Sequence, residues 1–157
     1  MGGGRFVVKC GQTALNAPQG KDAFSIEAKT LTSYNQTFDP PAPMLEVSVA
    51  HIRTRPRVAL PALLDTGADM TAVPEFLVKR LNLYPVGQMA VEDVNGFTEI
   101  VSTYVARLII ADQIVPEHKV LVTGLDFVVI GRDLLNQFYF LANGPEKTFT
   151  LRTTPFS

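Results

Sequence analysis

A carboxylic acid follows directly on an apolar strand and precedes a glycine turn in Leu63-Leu64-Asp65-Thr66-Gly67-Ala68-Asp69-Met70-Thr71. Few folds tolerate this. A carboxylate emerging from apolar surroundings must be hydrogen-bonded or neutralised, because burying a lone charge is expensive. Thr66 offers a hydroxyl, and Gly67 lets a backbone N–H come close to the acid. A second stretch has the same build: Phe127-Val128-Val129-Ile130 is an apolar run that ends on Gly131 and continues into Arg132-Asp133-Leu134-Leu135.

The surrounding pattern is that of short strands. Met44 to Arg53 alternates apolar and polar residues, the period of a half-buried strand, and Arg53 to Arg57 reads as a turn. Val58 to Leu64 is the denser, returning strand of that hairpin. Thr71 to Tyr84 predicts a short amphipathic helix with Pro74 at its first position. Gln88 to Ile110 predicts two strands joined at Asp93-Val94-Asn95-Gly96, since Asn-Gly is the strongest short hairpin signal. Strands follow at Tyr104 to Ile110 and Val115 to Val122, turning near Asp112. Phe127 to Ile130 is a short buried strand, Arg132 to Phe138 one or two helical turns, and Tyr139 to Leu141 with Thr148 to Arg152 a last hairpin. Many short strands with two brief helices point to an all-β, barrel-like domain.

At 157 residues the chain fits one domain with its own apolar core. A net charge of −1 gives no strong pull towards nucleic acid or anionic lipid, so neither is expected as a partner. No stretch reaches the roughly 20 apolar residues of a membrane helix. Cys10 is the single cysteine and suits a reducing compartment, with the cytoplasm as the default location. Asn35-Gln36-Thr37 matches a glycosylation sequon, but the start of the chain has no secretory signal, so modification is not expected. His51 and His118 stand apart from any cysteine, histidine or acid at ligand spacing; both are expected at the surface, and no metal or other cofactor is expected.

The two apolar-to-glycine stretches together resemble the retropepsin-like (retroviral-type) aspartic proteases, whose signature is an apolar pair with Asp-Thr-Gly-Ala and a later apolar run ending Ile-Gly-Arg before a Leu-Leu helix. The resemblance spans roughly Met44 to Asn143. It implies a retropepsin-like acid protease barrel with a flap hairpin, active as a homodimer on peptide or protein substrates. Two aspartates are needed and the chain has one Asp-Thr-Gly, so each protomer would contribute Asp65. Two carboxyls about 3 Å apart cannot both ionise and share a proton, as in aspartic proteases generally. The resemblance assigns Asp65, Thr66 and Gly67 to the catalytic loop. It assigns Ala68, Asp69, Val94, Asn95, Gly96 and Phe97 to substrate binding, the last four as the flap. Thr66 is implied to tie the two loops across the dimer axis. Gly131 and Arg132 are implied to support the site, Arg132 through an ion pair.

Residues 44–157 are therefore expected to form the protease domain. Residues 1–43 are an extension ending in the linker Pro40-Pro41-Ala42-Pro43, either added strands at Phe6 to Lys9 and Ala23 to Leu31 or a propiece over the cleft. A catalytically silent dimerisation or peptide-binding module on the same fold is the other function to separate from an aspartic endopeptidase.

Overall fold

The computed structural model describes residues 31–92 and 95–156. The strand expected at Phe6 to Lys9, all of the one expected at Ala23 to Leu31 except Leu31 itself, the thiol of Cys10, and Asp93 and Val94 of the hairpin turn lie outside the described residues.

The alternating run forms β2 (Met44–Ala50), which pairs antiparallel with β3 (Arg57–Leu64) from Met44↔Leu63 to Ala50↔Arg57. The register puts Val47, Val49, Ala62 and Leu64 on the core face. Asp65, one residue beyond Leu64, begins on the opposite face, because successive strand residues alternate sides. After the Asp65 loop comes β4 (Ala72–Pro74), then α1 (Glu75–Arg80), β5 (Tyr84–Glu92), β6 (Thr98–Ile110), β7 (Gln113–Thr123), β8 (Val128–Ile130) and α2 (Arg132–Leu135). β1 (Thr32–Ser33) precedes β2, and β9 (Tyr139–Asn143) and β10 (Thr148–Arg152) follow α2.

Seven strands make one sheet in the order β2-β3-β8-β4-β7-β6-β5, and a further pairing of β2 with β6 closes it into a barrel. The closure buries Val73, Leu77, Leu108, Ile110, Val120, Val128, Ile130 and Leu134. Burying each such side chain contributes about 1.5–3 kcal/mol. A three-stranded sheet, β1-β10-β9, lies beside the barrel and brings Phe149 into the same core. The β6–β7 hairpin turns through Ala111 and Asp112, both at positive φ (47° and 62°), the paired left-handed geometry whose twist matches two-residue hairpins.

Residues Thr98–Thr103 of β6 pair with β5 alone, so the end of this hairpin projects past the barrel wall made by β6 and β7. Of the four residues expected to make its turn, Asn95 and Gly96 are described, and Gly96 has φ 81°. The helix expected with Pro74 at its first position starts one residue later, at Glu75. Ala72 and Val73 pair in parallel with Leu121 and Val122 and are drawn into the barrel as β4, leaving Pro74 as the residue that caps α1. Glu75 in the first turn and Lys79 and Arg80 in the last then complement the helix dipole. No described helix is long and apolar enough to cross a membrane.

Candidate active site

Asp65 is 5% exposed, whereas the next two residues, Thr66 and Gly67, are exposed. The acid is thus held at the mouth of the barrel by the loop it begins. Its N–H donates to the Ile130 carbonyl at 3.0 Å, its Oδ1 accepts from the Gly67 N–H at 2.8 Å, and its carbonyl accepts from the Ala68 N–H at 3.2 Å. A Cβ on Gly67 would sit 3.2 Å from that Oδ1, so glycine keeps room for the carboxylate.

The second apolar-to-glycine stretch docks against this loop. β8 runs parallel to β3 with Leu64 beside Ile130, which sets Gly131 level with Asp65. Arg132 and Asp133 donate backbone N–H bonds to the carbonyls of Ala68 (2.9 Å) and Asp69 (3.2 Å). Gly131 lies on the Met70 backbone so tightly that a Cβ there would be 2.5 Å from the Met70 carbonyl carbon. Arg132 makes an ion pair with Asp69, both side chains being largely exposed. The structure therefore brings Asp65, Gly67, Ala68, Asp69, Gly131 and Arg132 together. Asn95, Gly96 and Phe97 sit instead at the tip of the β5–β6 hairpin, with Phe97 74% exposed; Val94 lies outside the described residues.

Two residues that sequence reasoning passed over belong to this assembly. Asp133 accepts from the Thr71 N–H (3.1 Å, Oδ2) and from the Thr71 hydroxyl (2.8 Å, Oδ1), and its Oδ2 lies 2.9 Å from His118 Nε2. The Thr71 hydroxyl in turn accepts from the Gly131 N–H at 3.2 Å. Burial pushes the Asp133 carboxyl up, but the bonds from His118 and Thr71 and the imidazole charge outweigh it and hold the group below its ordinary value. His118 is thus no free surface residue. Nor is His51, which is 4% exposed, accepts the Arg53 N–H on Nδ1 at 3.1 Å and packs edge-on against Tyr84. The partners explain the difference: the Tyr84 ring that covers His51, and the Asp133 carboxylate beside His118, are both brought up from elsewhere in the sequence by the fold.

Among the described residues no cluster of three or more His, Cys, Asp or Glu side chains is placed to hold a metal ion. A groove of about 600 Å³, lined by Leu45, Ile109, Phe149 and Arg152 among others, lies between the barrel and the three-stranded sheet and shares no residue with the Asp65 loop.

Residues 51–137, more than half of the chain, match the family described as "gag-polyprotein putative aspartyl protease". The chain belongs to the retropepsin-like aspartic protease family. The fold of this family member is similar to that of a retropepsin-like aspartic protease from Rickettsia conorii, at 18% identity and a TM-score of 0.55 over 77% of this chain and 87% of that one. It is also similar to EIAV protease complexed with the inhibitor HBY-793 (22% identity, TM-score 0.45, 60% of this chain and 86% of that one). A third similar structure is the foamy viral protease-reverse transcriptase in complex with an RNA/DNA hybrid (23% identity, TM-score 0.49); the match covers 62% of this chain and 12% of that much longer one. A comparison with curated proteins gave no match.

Proposed function

We propose that two copies of this chain assemble into an aspartic endopeptidase, each supplying Asp65. The observation that carries this reading is the Asp65 carboxyl itself: buried, fixed by the Gly67 N–H on Oδ1, and set at the start of a loop whose following residues are exposed. One such loop per chain makes half of a dyad. Across a two-fold axis the paired carboxyls share one proton. The ionised member takes a proton from a water, which attacks the scissile carbonyl carbon; the protonated member donates its hydrogen bond to the carbonyl oxygen. Proton return to the amide nitrogen releases the two peptide products and restores the dyad. Thr66 links the loops across the axis, Ala68 and Asp69 border the substrate backbone, and the β5–β6 hairpin, with Val94, Asn95, Gly96 and Phe97 at its end, closes over an extended peptide.

The protease domain is assigned to residues 44–157. Residues 1–43 form an extension, whose reading as added structure is supported by the pairing of Thr32 and Ser33 with Phe149 and Thr148. The lone Cys10 supports a reducing, cytoplasmic setting.

The test is turnover of a diverse peptide library by the purified chain and by Asp65→Asn, with the oligomeric state measured by sedimentation. The wild type is expected to be a dimer that cleaves. Asp65→Asn, nearly isosteric but unable to exchange a proton, is expected to stay folded and lose activity by about 10²–10⁴-fold. Undiminished turnover by Asp65→Asn would remove Asp65 from the mechanism; a folded wild-type dimer that binds peptides without cleaving them would make the chain a binding module.

A further inference from the structure

We propose that His118 is a positioning residue for the Asp65 loop, acting through Asp133 and Thr71 from outside both apolar-to-glycine stretches. The inference rests on Asp65 being the reacting carboxylate. Its structural half stands on the network alone.

The loop from Asp65 to Thr71 is exposed at Thr66, Gly67 and Asp69, so its shape depends on how its two ends are held. The first end is fixed by the Asp65 N–H on the Ile130 carbonyl. At the second end, Thr71 gives both its N–H and its hydroxyl hydrogen to the Asp133 carboxylate, while its hydroxyl oxygen takes the Gly131 N–H. Gly131 follows Ile130 directly. An unbroken path of hydrogen bonds and one peptide link therefore joins Asp133 to the backbone of Asp65.

An ionised carboxylate accepts only, so the His118 contact at 2.9 Å is a donation from Nε2–H to Asp133 Oδ2. The side chains are 13% and 22% exposed, which leaves little water to replace this donor. Other nearby charges are committed elsewhere. Arg132, on the same helix, pairs with Asp69 of the loop. Glu117 and Lys119 are exposed on the opposite face of β7, and the residue facing His118 from β6 is Ala106. His118 is thus the cation-capable side chain that holds Asp133 in place. Without it, both remaining donors to the carboxylate come from Thr71, and β7 reaches the pair only through its backbone, by the Leu121 N–H on the Thr71 carbonyl at 2.9 Å, leaving the Asp133 carboxylate without a β7 side chain to orient it. Misplacement of a reacting group by about 1 Å can cost a hundredfold in rate.

The experiment compares the full-length dimer of the wild type, His118→Leu and His118→Gln. It measures kcat and KM on a cleaved library peptide, and hydrogen exchange of individual amides. His118→Leu is expected to lower kcat by about 10- to 100-fold with KM little changed. The Thr71 amide, which donates to Asp133, is expected to exchange at least about tenfold faster while barrel amides keep their rates. His118→Gln, which retains an uncharged donor, is expected to recover most of kcat. Unchanged kcat and unchanged Thr71 exchange in folded His118→Leu would overturn the proposal. So would equal acceleration of all amides, which would assign His118 to general stability. If His118→Leu does not fold, His118→Asn, whose shorter amide keeps a polar group on β7 without spanning the same distance to Asp133, decides: a lower kcat with selectively faster Thr71 exchange supports positioning, and wild-type values for both refute it. A wild type without turnover would overturn the peptidase reading, while the exchange comparison still decides the role of His118.

Discussion

Replacing Gly131 with alanine adds one methyl group at the seam between the Asp65 loop and α2. The backbone there has φ −86°, which alanine adopts without strain, so on conformational grounds alone the change would stabilise the fold by about 0.4–1 kcal/mol. Packing gives the opposite sign. The new Cβ would lie 2.5, 2.7 and 2.9 Å from the carbonyl carbon, oxygen and Cα of Met70, where carbon atoms need about 3.5 Å. All three are backbone atoms and cannot swing aside, so the loop must retreat by about 1 Å. Hydrogen bonds of 2.9–3.2 Å cross the same seam, from Arg132 N to Ala68 O, Asp133 N to Asp69 O and Gly131 N to the Thr71 hydroxyl. A retreat of that size breaks two or three of them, at about 0.5–1.5 kcal/mol each. Overpacking adds about 1–3 kcal/mol. Net destabilisation of about 1–7 kcal/mol is expected, read as a lower urea midpoint with an unchanged m-value, and turnover per folded molecule should fall because Asp65 moves with the loop. A Gly131→Ala protein as stable as the wild type, or more stable, would refute the tight seam.

Asp133 makes stability depend on pH. Its folded-state value lies below the ordinary 3.8, so its contribution is fully present above about pH 4 and is lost as pH falls through the folded value. Asp133→Asn is therefore expected to be less stable than the wild type at neutral pH and to converge with it under strong acid, as followed by urea titrations at a series of pH values. Arg132→Ala removes an ion pair whose side chains are 55% and 78% exposed, and its stability cost is expected to stay within about 1 kcal/mol and to shrink in high salt.

The strands were legible because their burial alternates. Met44–Ala50 and Arg57–Leu64 carry the period of a half-buried hairpin, and Asn95-Gly96 marks the end of a different one, β5–β6, by backbone preference alone. The loop was legible because an acid after apolar residues has few physical solutions, and glycine spacing supplies one of them. Other features depend on partners remote in sequence. Ala72 and Val73 look like helix entry beside Pro74, yet β7 and β8 claim them as a strand, and tertiary pairing overrides the local preference. His118 sits between two exposed charges and reads as solvated until Asp133 is brought to it. Asp133 itself reads as an ordinary acidic residue in a first helical turn, and only the fold reveals that Thr71 is its ligand.

The bracing of the Asp65 loop by residues from Ile130 to Asp133 also orders events in time. During synthesis the loop leaves the ribosome well before the segment that holds both its ends, and β3 and β4 wait likewise for their parallel partners in β8 and β7. Non-local pairings of this kind form slowly, because chain closure must precede any reward. A nascent chain truncated anywhere before Gly131 therefore carries Asp65 on an unsupported loop, and the geometry that makes this carboxyl distinctive arises only once the far half of the barrel has emerged and docked.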